Sequence, residues 1–188
     1  MYATLFKRIV DICFALLLLP FLSPIMAVVA IAIRVNDGGP AIFRQKRVGA
    51  NTKLFVLLKF RSMPINAPNV SKTQAGRIQV TKIGAILRRT NLDELPQLFN
   101  VLNGDMSFIG PRPCLPAQSE LYQMRLNGGV FNCRPGLTGL AQVNAFTGMP
   151  DSQKAEWDTL YCRDICFLSD LKIFFRTFAY FLKPPPVY

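Results

Sequence analysis

The chain has 188 residues, with 22 Lys and Arg against 11 Asp and Glu, for a formal net charge of +11. That length bounds one ordinary domain with its own core, and the charge points to an anionic partner: nucleic acid, a phospholipid surface or a phosphorylated substrate. There is no histidine, which excludes a His-type zinc site or a Ser-His-Asp triad and leaves carboxylate, Lys, Tyr or Cys for acid–base work. Cys13, Cys114, Cys133, Cys162 and Cys166 are odd in number and scattered, with no CxxC pair, so reduced, packed thiols in the cytosol are expected.

The first element is "RIVDICFALLLLPFLSPIMAVVAIAIR", residues 8–34. As a helix it is long enough to cross a bilayer core of about 30 Å. It overshoots the apolar region of a signal peptide, and no small-residue cleavage site follows. Pro20 and Pro24 fall near its middle, and each removes a backbone bond. Both flanks are basic, with Lys7 and Arg8 before it and Arg34, Arg44, Lys46 and Arg47 after it, so both ends favour the cytoplasmic side. A re-entrant helix broken at Ser23 and Pro24 meets that demand, with Ser23 bonding a carbonyl freed by Pro24. A straight span with a mild kink is the competing geometry.

After the turn "NDGGP", the runs "AIFRQKRVG" and "KLFVLLKFRSM" read as a β-hairpin around "ANT", with Lys59 and Arg61 closing the second run. "MPINAPNVSKTQAG", residues 63–76, reads as a polar loop. "TKIGAILRRT" has Ile83, Ile86 and Leu87 at helical spacing, Thr81 as a cap, and Arg88 and Arg89 in its last turn. "NLDELPQLFNVLNGD" then reads as a short helix with Asp93 at its N-cap, closed by Asn103 and Gly104.

Capping alone accounts for Asp93, since acids in a first turn suit the helix dipole. The setting supplies a second reading. Near Arg88 and Arg89 a carboxylate should stay ionised, and helix starts and guanidinium groups both welcome phosphate. "GDMSFIGPRP" presents Arg112 on a glycine-bounded turn, and "RPGLTGLAQVN" presents Arg134 on another. An ionised acid among arginines suits nucleophilic attack on phosphorus, and Mg²⁺ fits one or two carboxylates plus phosphate oxygens. The last element, "SDLKIFFRTFAYFLKPPPVY", sets Leu171, Phe174, Phe175, Phe178, Phe181 and Leu182 on one broad face. It reads either as an amphipathic helix in the membrane interface or as a helix on the domain core, stopped by Lys183–Pro186.

"KFRSM", "LRRTNLDELPQLFNVLNGDMSFIGPRP", "RPGLTGLAQVN" and "WDTLY…LSDLKI" behind an apolar segment with Ser-Pro resemble the monotopic bacterial sugar transferases, the polyprenyl-phosphate phosphoglycosyl transferases. The resemblance covers essentially the whole chain. It implies transfer of a sugar-1-phosphate from a UDP-sugar to undecaprenyl phosphate with release of UMP and a Mg²⁺ requirement, initiating glycoconjugate synthesis. In that scheme Asp93 is the nucleophile that forms a phosphosugar–Asp intermediate and also a metal ligand, and Glu94 is its partner in holding metal or handling a proton. Lys59, Arg88 and Arg112 hold phosphate in it, Arg134 joins them only by the reading of its own turn, and Asp158 and Tyr161 match an Asp-x-x-Tyr near the nucleotide-sugar. One departure bears on the sugar: many members read QVNGR where this chain has "QVNAF", so Ala145 and Phe146 replace Gly and Arg.

The expected fold is α+β, with residues 1–36 a re-entrant membrane helix and residues 37–188 a catalytic domain. That domain should sit on the cytosolic face of the bacterial inner membrane, carrying a small hairpin, several short helices and an interfacial C-terminal helix. Phospholipid is an expected partner, nucleic acid is not, and a homodimer fits the scheme. Two rival readings stand beside it. One is a non-catalytic basic module that binds membrane. The other is the same transfer by direct attack of the lipid phosphate, with Asp93 only a Mg²⁺ ligand.

Overall fold

A computed structural model describes residues 2–65, 67, 80–146 and 148–181. The architecture is mixed helix and sheet, with two small sheets and one long apolar N-terminal helix. A π-helical turn at Tyr2–Phe6 leads into α1 (Lys7–Asp37). β1 (Ile42–Val48) and β2 (Leu54–Phe60) form the expected antiparallel hairpin around the 3₁₀ turn Ala50–Thr52. α2 (Lys82–Thr90) starts where expected, with Thr81 Oγ1 accepting from the Gly84 N–H at 2.9 Å. A 3₁₀ turn at Leu92–Glu94 and α3 (Gln97–Asn103) follow. β3 (Ser107–Ile109), α4 (Ser119–Asn127), the 3₁₀ turn Val130–Asn132, β4 (Gly136–Thr138), α5 (Leu140–Val143), α6 (Asp151–Arg163) and α7 (Phe167–Phe181) complete the order. The polar loop read over residues 63–76 falls mostly outside the described residues, and the stop at Lys183–Pro186 falls wholly outside them.

α1 is helical from Lys7 to Asp37 with Pro20 and Pro24 inside it. The lost backbone bond is replaced locally. Pro24 has no N–H to give the Pro20 carbonyl, and Ser23 Oγ donates to that same oxygen at 3.2 Å.

Both halves of α1 pack on the domain. Towards its start, Ala15 joins Phe55, Leu57, Val101 and Met106 in one core cluster, and Arg8 donates to the Val101 and Leu102 carbonyls at 2.5 and 2.8 Å. Asp11 Oδ1 accepts from Ser107 Oγ at 3.0 Å and the Phe108 N–H at 3.1 Å. Towards its end, Val29 and Ile33 join Ala41, Phe60 and Leu87. Between these anchors Leu16, Leu17, Phe21, Ile25 and Val28 are exposed.

The hairpin is held from outside as well. Asn100 of α3, 1% exposed, accepts from the Leu58 N–H at 3.0 Å and donates to the Val56 carbonyl at 2.8 Å. An amide side chain thus completes the open edge of β2, where unpaired backbone groups need partners.

β3 and β4 were read as turns. They form a parallel pair three residues long, with Ser107 opposite Gly136 and Ile109 opposite Thr138. The close approach needs glycine: a Cβ on Gly110 would lie 2.4 Å from the Arg134 carbonyl oxygen. α7 packs on the core through one face. Ile173 is buried against Ile109 and Tyr161, whereas Phe167, Leu168, Phe175 and Phe178 on other faces are exposed.

The thiols differ from expectation. Cys133, next to the 3₁₀ turn Val130–Asn132, is joined to Cys162 of α6, with the two Cα atoms 6.2 Å apart; Cys13, Cys114 and Cys166 are free. The pairing is tertiary, across 29 residues of sequence, so spacing gave no sign of it.

Candidate active site

Asp93 does not cap α3. It lies in the 3₁₀ turn Leu92–Glu94, and the cap position of α3 is Pro96. Pro96 needs no N–H at a helix start, so the helix begins after the proline and not at the aspartate. Asn91 in the left-handed conformation (φ 55) separates this turn from α2. The result is an aspartate only 6% exposed on the wall of a cavity of about 220 Å³.

Cations dominate that cavity. Among the described residues Arg47, Lys59, Arg61, Arg88, Arg112, Arg125 and Lys154 line it, against one carboxylate, Asp93. Glu94 sits beside the wall, and its Oε1 accepts from Lys59 Nζ at 2.7 Å and from Arg112 Nη2 at 2.8 Å. Lys59 comes from the end of β2 and Arg112 from the turn after β3, so one acidic oxygen ties two elements across the site. Burial pulls the Lys59 ammonium below the usual lysine range, with Glu94 opposing. Burial and the nearby Arg112 pull Arg47 down to about 10, still charged at neutral pH.

Arg88 reaches the cavity from the last turn of α2, with Nε donating to Ser62 Oγ at 2.9 Å. Gly84 makes this possible: any Cβ there would lie 1.9 Å from the Ser62 carbonyl oxygen, so only glycine lets α2 sit this close. The remaining wall is mostly apolar, with Phe43, Met63, Leu115, Leu121, Ala141 and Met149 beside the polar Gln45, Ser62, Gln118 and Gln142. Ala145 lines it too, while its neighbour Phe146 is 49% exposed and is not part of the lining.

Of the residues the sequence singled out, Lys59, Arg88, Asp93 and Arg112 come together here, with Glu94 at their back. Arg134 does not join them; its Nε donates to the Gly104 carbonyl at 3.1 Å. Asp158 is 1% exposed and bonds Arg125, so its link to the cavity runs through that arginine. Burial raises the Asp158 carboxyl, against the pull of Arg125. Tyr161 is also buried away from the lining, its hydroxyl 2.8 Å from Asp170 Oδ1 and 3.1 Å from the Ile109 carbonyl. Burial, with Asp170 beside it, pushes that hydroxyl well above the usual tyrosine range. Lys7 and Tyr2 reach the other oxygen of Asp170, so this cluster ties α1, α6 and α7 together.

Arg47, Arg61, Arg125 and Lys154 were not anticipated as site residues. Arg47 and Arg61 stood in the sequence as flanking charge, and Arg125 carried no local signal. Magnesium prefers near-octahedral oxygen ligands and often binds through one or two carboxylates plus phosphate oxygens. No group of three or more Asp, Glu, Cys or His side chains converges among the described residues, and Oε1 of Glu94 is shared by two cations. The donor set fits an ion that arrives with a diphosphate and gains one carboxylate, that of Asp93; it does not fit an all-protein cage.

The family model described as bacterial sugar transferase matches residues 2–184. The chain belongs to the bacterial sugar transferase family. The chain is 43% identical over 181 residues to the UDP-glucose:undecaprenyl-phosphate glucose-1-phosphate transferase of Klebsiella pneumoniae, covering 92% of this chain and 39% of that protein. A protein of the same description from Caulobacter vibrioides is 41% identical over 180 residues, covering 91% of this chain and 67% of the relative. The exopolysaccharide production protein ExoY of Sinorhizobium fredii is 34% identical over 188 residues, covering 91% and 83%. The chain therefore spans about two-fifths of the length of the Klebsiella relative and most of the length of ExoY.

The depressed Lys59 ammonium has a directional consequence. Lys59 loses its proton at lower pH than an ordinary lysine, so a site that needs it charged fails early as pH rises. Lys59→Arg should move the alkaline limb of the rate profile to higher pH, measured as initial rate against pH in detergent. An unmoved limb would assign the titration elsewhere.

Proposed function

We propose that this chain moves a sugar-1-phosphate from a UDP-sugar to undecaprenyl phosphate, releasing UMP, as the first step in building a bacterial glycoconjugate. The observation that carries the reading is a buried aspartate on a wall of seven cationic side chains, in a member of the bacterial sugar transferase family. The Klebsiella and Caulobacter relatives are described as UDP-glucose:undecaprenyl-phosphate glucose-1-phosphate transferases.

The chemistry follows from the charges. The diphosphate of a UDP-sugar is drawn to Arg47, Arg88, Arg112 and Lys59, which offset charge that builds on the phosphoryl oxygens during transfer. An Asp93 oxygen attacks the sugar-linked phosphorus, the bond to the bridging oxygen breaks, and UMP leaves with that oxygen and its electron pair. A phosphate oxygen of undecaprenyl phosphate then attacks the same phosphorus and returns the Asp93 carboxylate, giving the sugar-linked undecaprenyl diphosphate. Glu94, bound to Lys59 and Arg112, keeps both cations in place beside Asp93. Mg²⁺, when bound with the diphosphate, supplies further positive charge at the leaving phosphate.

The reading places residues 1–36 in the cytosolic leaflet of the inner membrane as a re-entrant segment, with residues 37–188 on the cytosolic face. The packing of α1 supports it. Ala15 and Val29, about 21 Å apart along an ideal helix, both pack on the one domain, whereas a straight span would carry one of them away. The exposed apolar middle of α1 and the exposed aromatics of α7 are the surfaces offered to lipid. In a cysteine-free background, Leu5→Cys and Val35→Cys should both resist an impermeant thiol reagent added outside intact spheroplasts and both react after lysis. Labelling of either one from outside would mean a span.

Asp93→Asn should abolish UMP release, by about a thousandfold or more, and should also abolish exchange of labelled UMP into UDP-sugar without lipid acceptor. Because Asp93 caps no helix, the variant should keep its fold by circular dichroism. Near-normal turnover in Asp93→Asn would overturn the assignment. Exchange that is absent in an active wild-type enzyme would favour direct attack by the lipid phosphate.

A further inference from the structure

Arg112 rides on the turn Gly110–Pro113, which has few donors with which to hold its own shape. Pro111 and Pro113 carry no N–H, so the turn's carbonyls are satisfied by other elements. The Pro111 oxygen accepts from the Gly136 N–H at 2.9 Å, the Arg112 oxygen from Arg125 Nη1 at 2.7 Å, and the Pro113 oxygen from Arg47 Nη1 at 2.9 Å. Arg125 is itself held. Its Nε and Nη2 both donate to Asp158 Oδ2, at 3.0 and 2.5 Å, and the two side chains are 4% and 1% exposed.

All three nitrogens of Arg125 are thus committed to protein. Two face Asp158 on α6, and the third grips the backbone that carries Arg112. From there the contacts continue through Arg112 Nη2 to Glu94 and on to Lys59.

We infer that Arg125 and Asp158 are positioning residues for the transfer reaction, acting through the Arg112 carbonyl to set the Arg112 guanidinium against Glu94. The inference rests on the function proposed above. It gives Asp158 a task that its burial permits, since a carboxylate sealed behind an arginine cannot touch a sugar nucleotide. Arg suits position 125 because a planar guanidinium serves two acceptors in fixed directions at once, where an ammonium on a flexible stem is a point charge. Asp158 is required because a buried guanidinium without its counter-ion is strongly destabilising.

The test is a double-mutant cycle on the full chain in detergent, comparing wild type, Arg125→Lys, Arg112→Ala and the double variant. The readouts are UMP release over a range of UDP-sugar concentrations and melting temperature. Arg125→Lys keeps the charge opposite Asp158 but loses the fixed reach to the turn. It should lower kcat by roughly tenfold to a hundredfold and leave KM for the UDP-sugar within about threefold. In the Arg112→Ala background the same change should cost less than about twofold, because the group it positions is already gone.

Losses that multiply in full in the double variant would overturn the inference, as would a loss carried by KM alone, the mark of a direct phosphate ligand. If Arg125→Lys does not fold, Arg125→Met with Asp158→Leu removes both buried charges together and enters the same cycle with the same two outcomes. A wild-type protein that releases UMP and shows an additive cycle sinks this inference alone. A wild type that releases no UMP from any UDP-sugar sinks the proposed function, and the inference with it.

Discussion

One carboxylate oxygen, Oε1 of Glu94, receives a hydrogen bond from Lys59 on one side and from Arg112 on the other. The site depends on that shared contact. Lys59 brings the end of the hairpin, Arg112 the turn after β3, and Glu94 the 3₁₀ turn between α2 and α3. Without it, the buried Lys59 ammonium would face the half-exposed Arg112 guanidinium unneutralised, and burial already disfavours the Lys59 charge. With it, the two acids of the Asp-Glu pair part company: Glu94 neutralises its neighbours, and Asp93 lies on the cation-lined wall of the cavity.

The long apolar helix braces the same arrangement from outside. Arg8 holds carbonyls of α3, and Asp11 holds β3 through Ser107 and the Phe108 N–H. Further along, Val29 and Ile33 pack on Phe60 and Leu87, in the strand and helix that carry Lys59 and Arg88. The elements that place the cations therefore rest directly on the long apolar helix. The function proposed here needs that coupling, because a nucleotide-sugar and a lipid phosphate would arrive from different phases.

Local chemistry was the legible part of the sequence. The hairpin around residues 50–52, the Thr81 cap and the closing Gly104 are each set by neighbours in the chain, and each stands where it was read. Ser23 bonding the carbonyl that Pro24 leaves unpaired was also readable, since donor and acceptor are three residues apart. Asp93 as a cap was misread because Pro96 shifts the start of α3. The parallel β3–β4 pair was missed because strands of three residues carry no period. Long-range partners were out of reach: nothing near Arg125 announces Asp158, nothing near Cys133 announces Cys162, and nothing near Arg134 shows it turned to Gly104.

The central claim is that a phosphorus–oxygen bond forms at Asp93. The most direct measurement is mass spectrometry of the enzyme quenched with UDP-sugar in the absence of lipid acceptor. The account predicts a peptide containing Asp93 heavier by one sugar phosphate, lost when undecaprenyl phosphate is added before the quench. An unmodified peptide from enzyme that turns over fully when both substrates are present would contradict it.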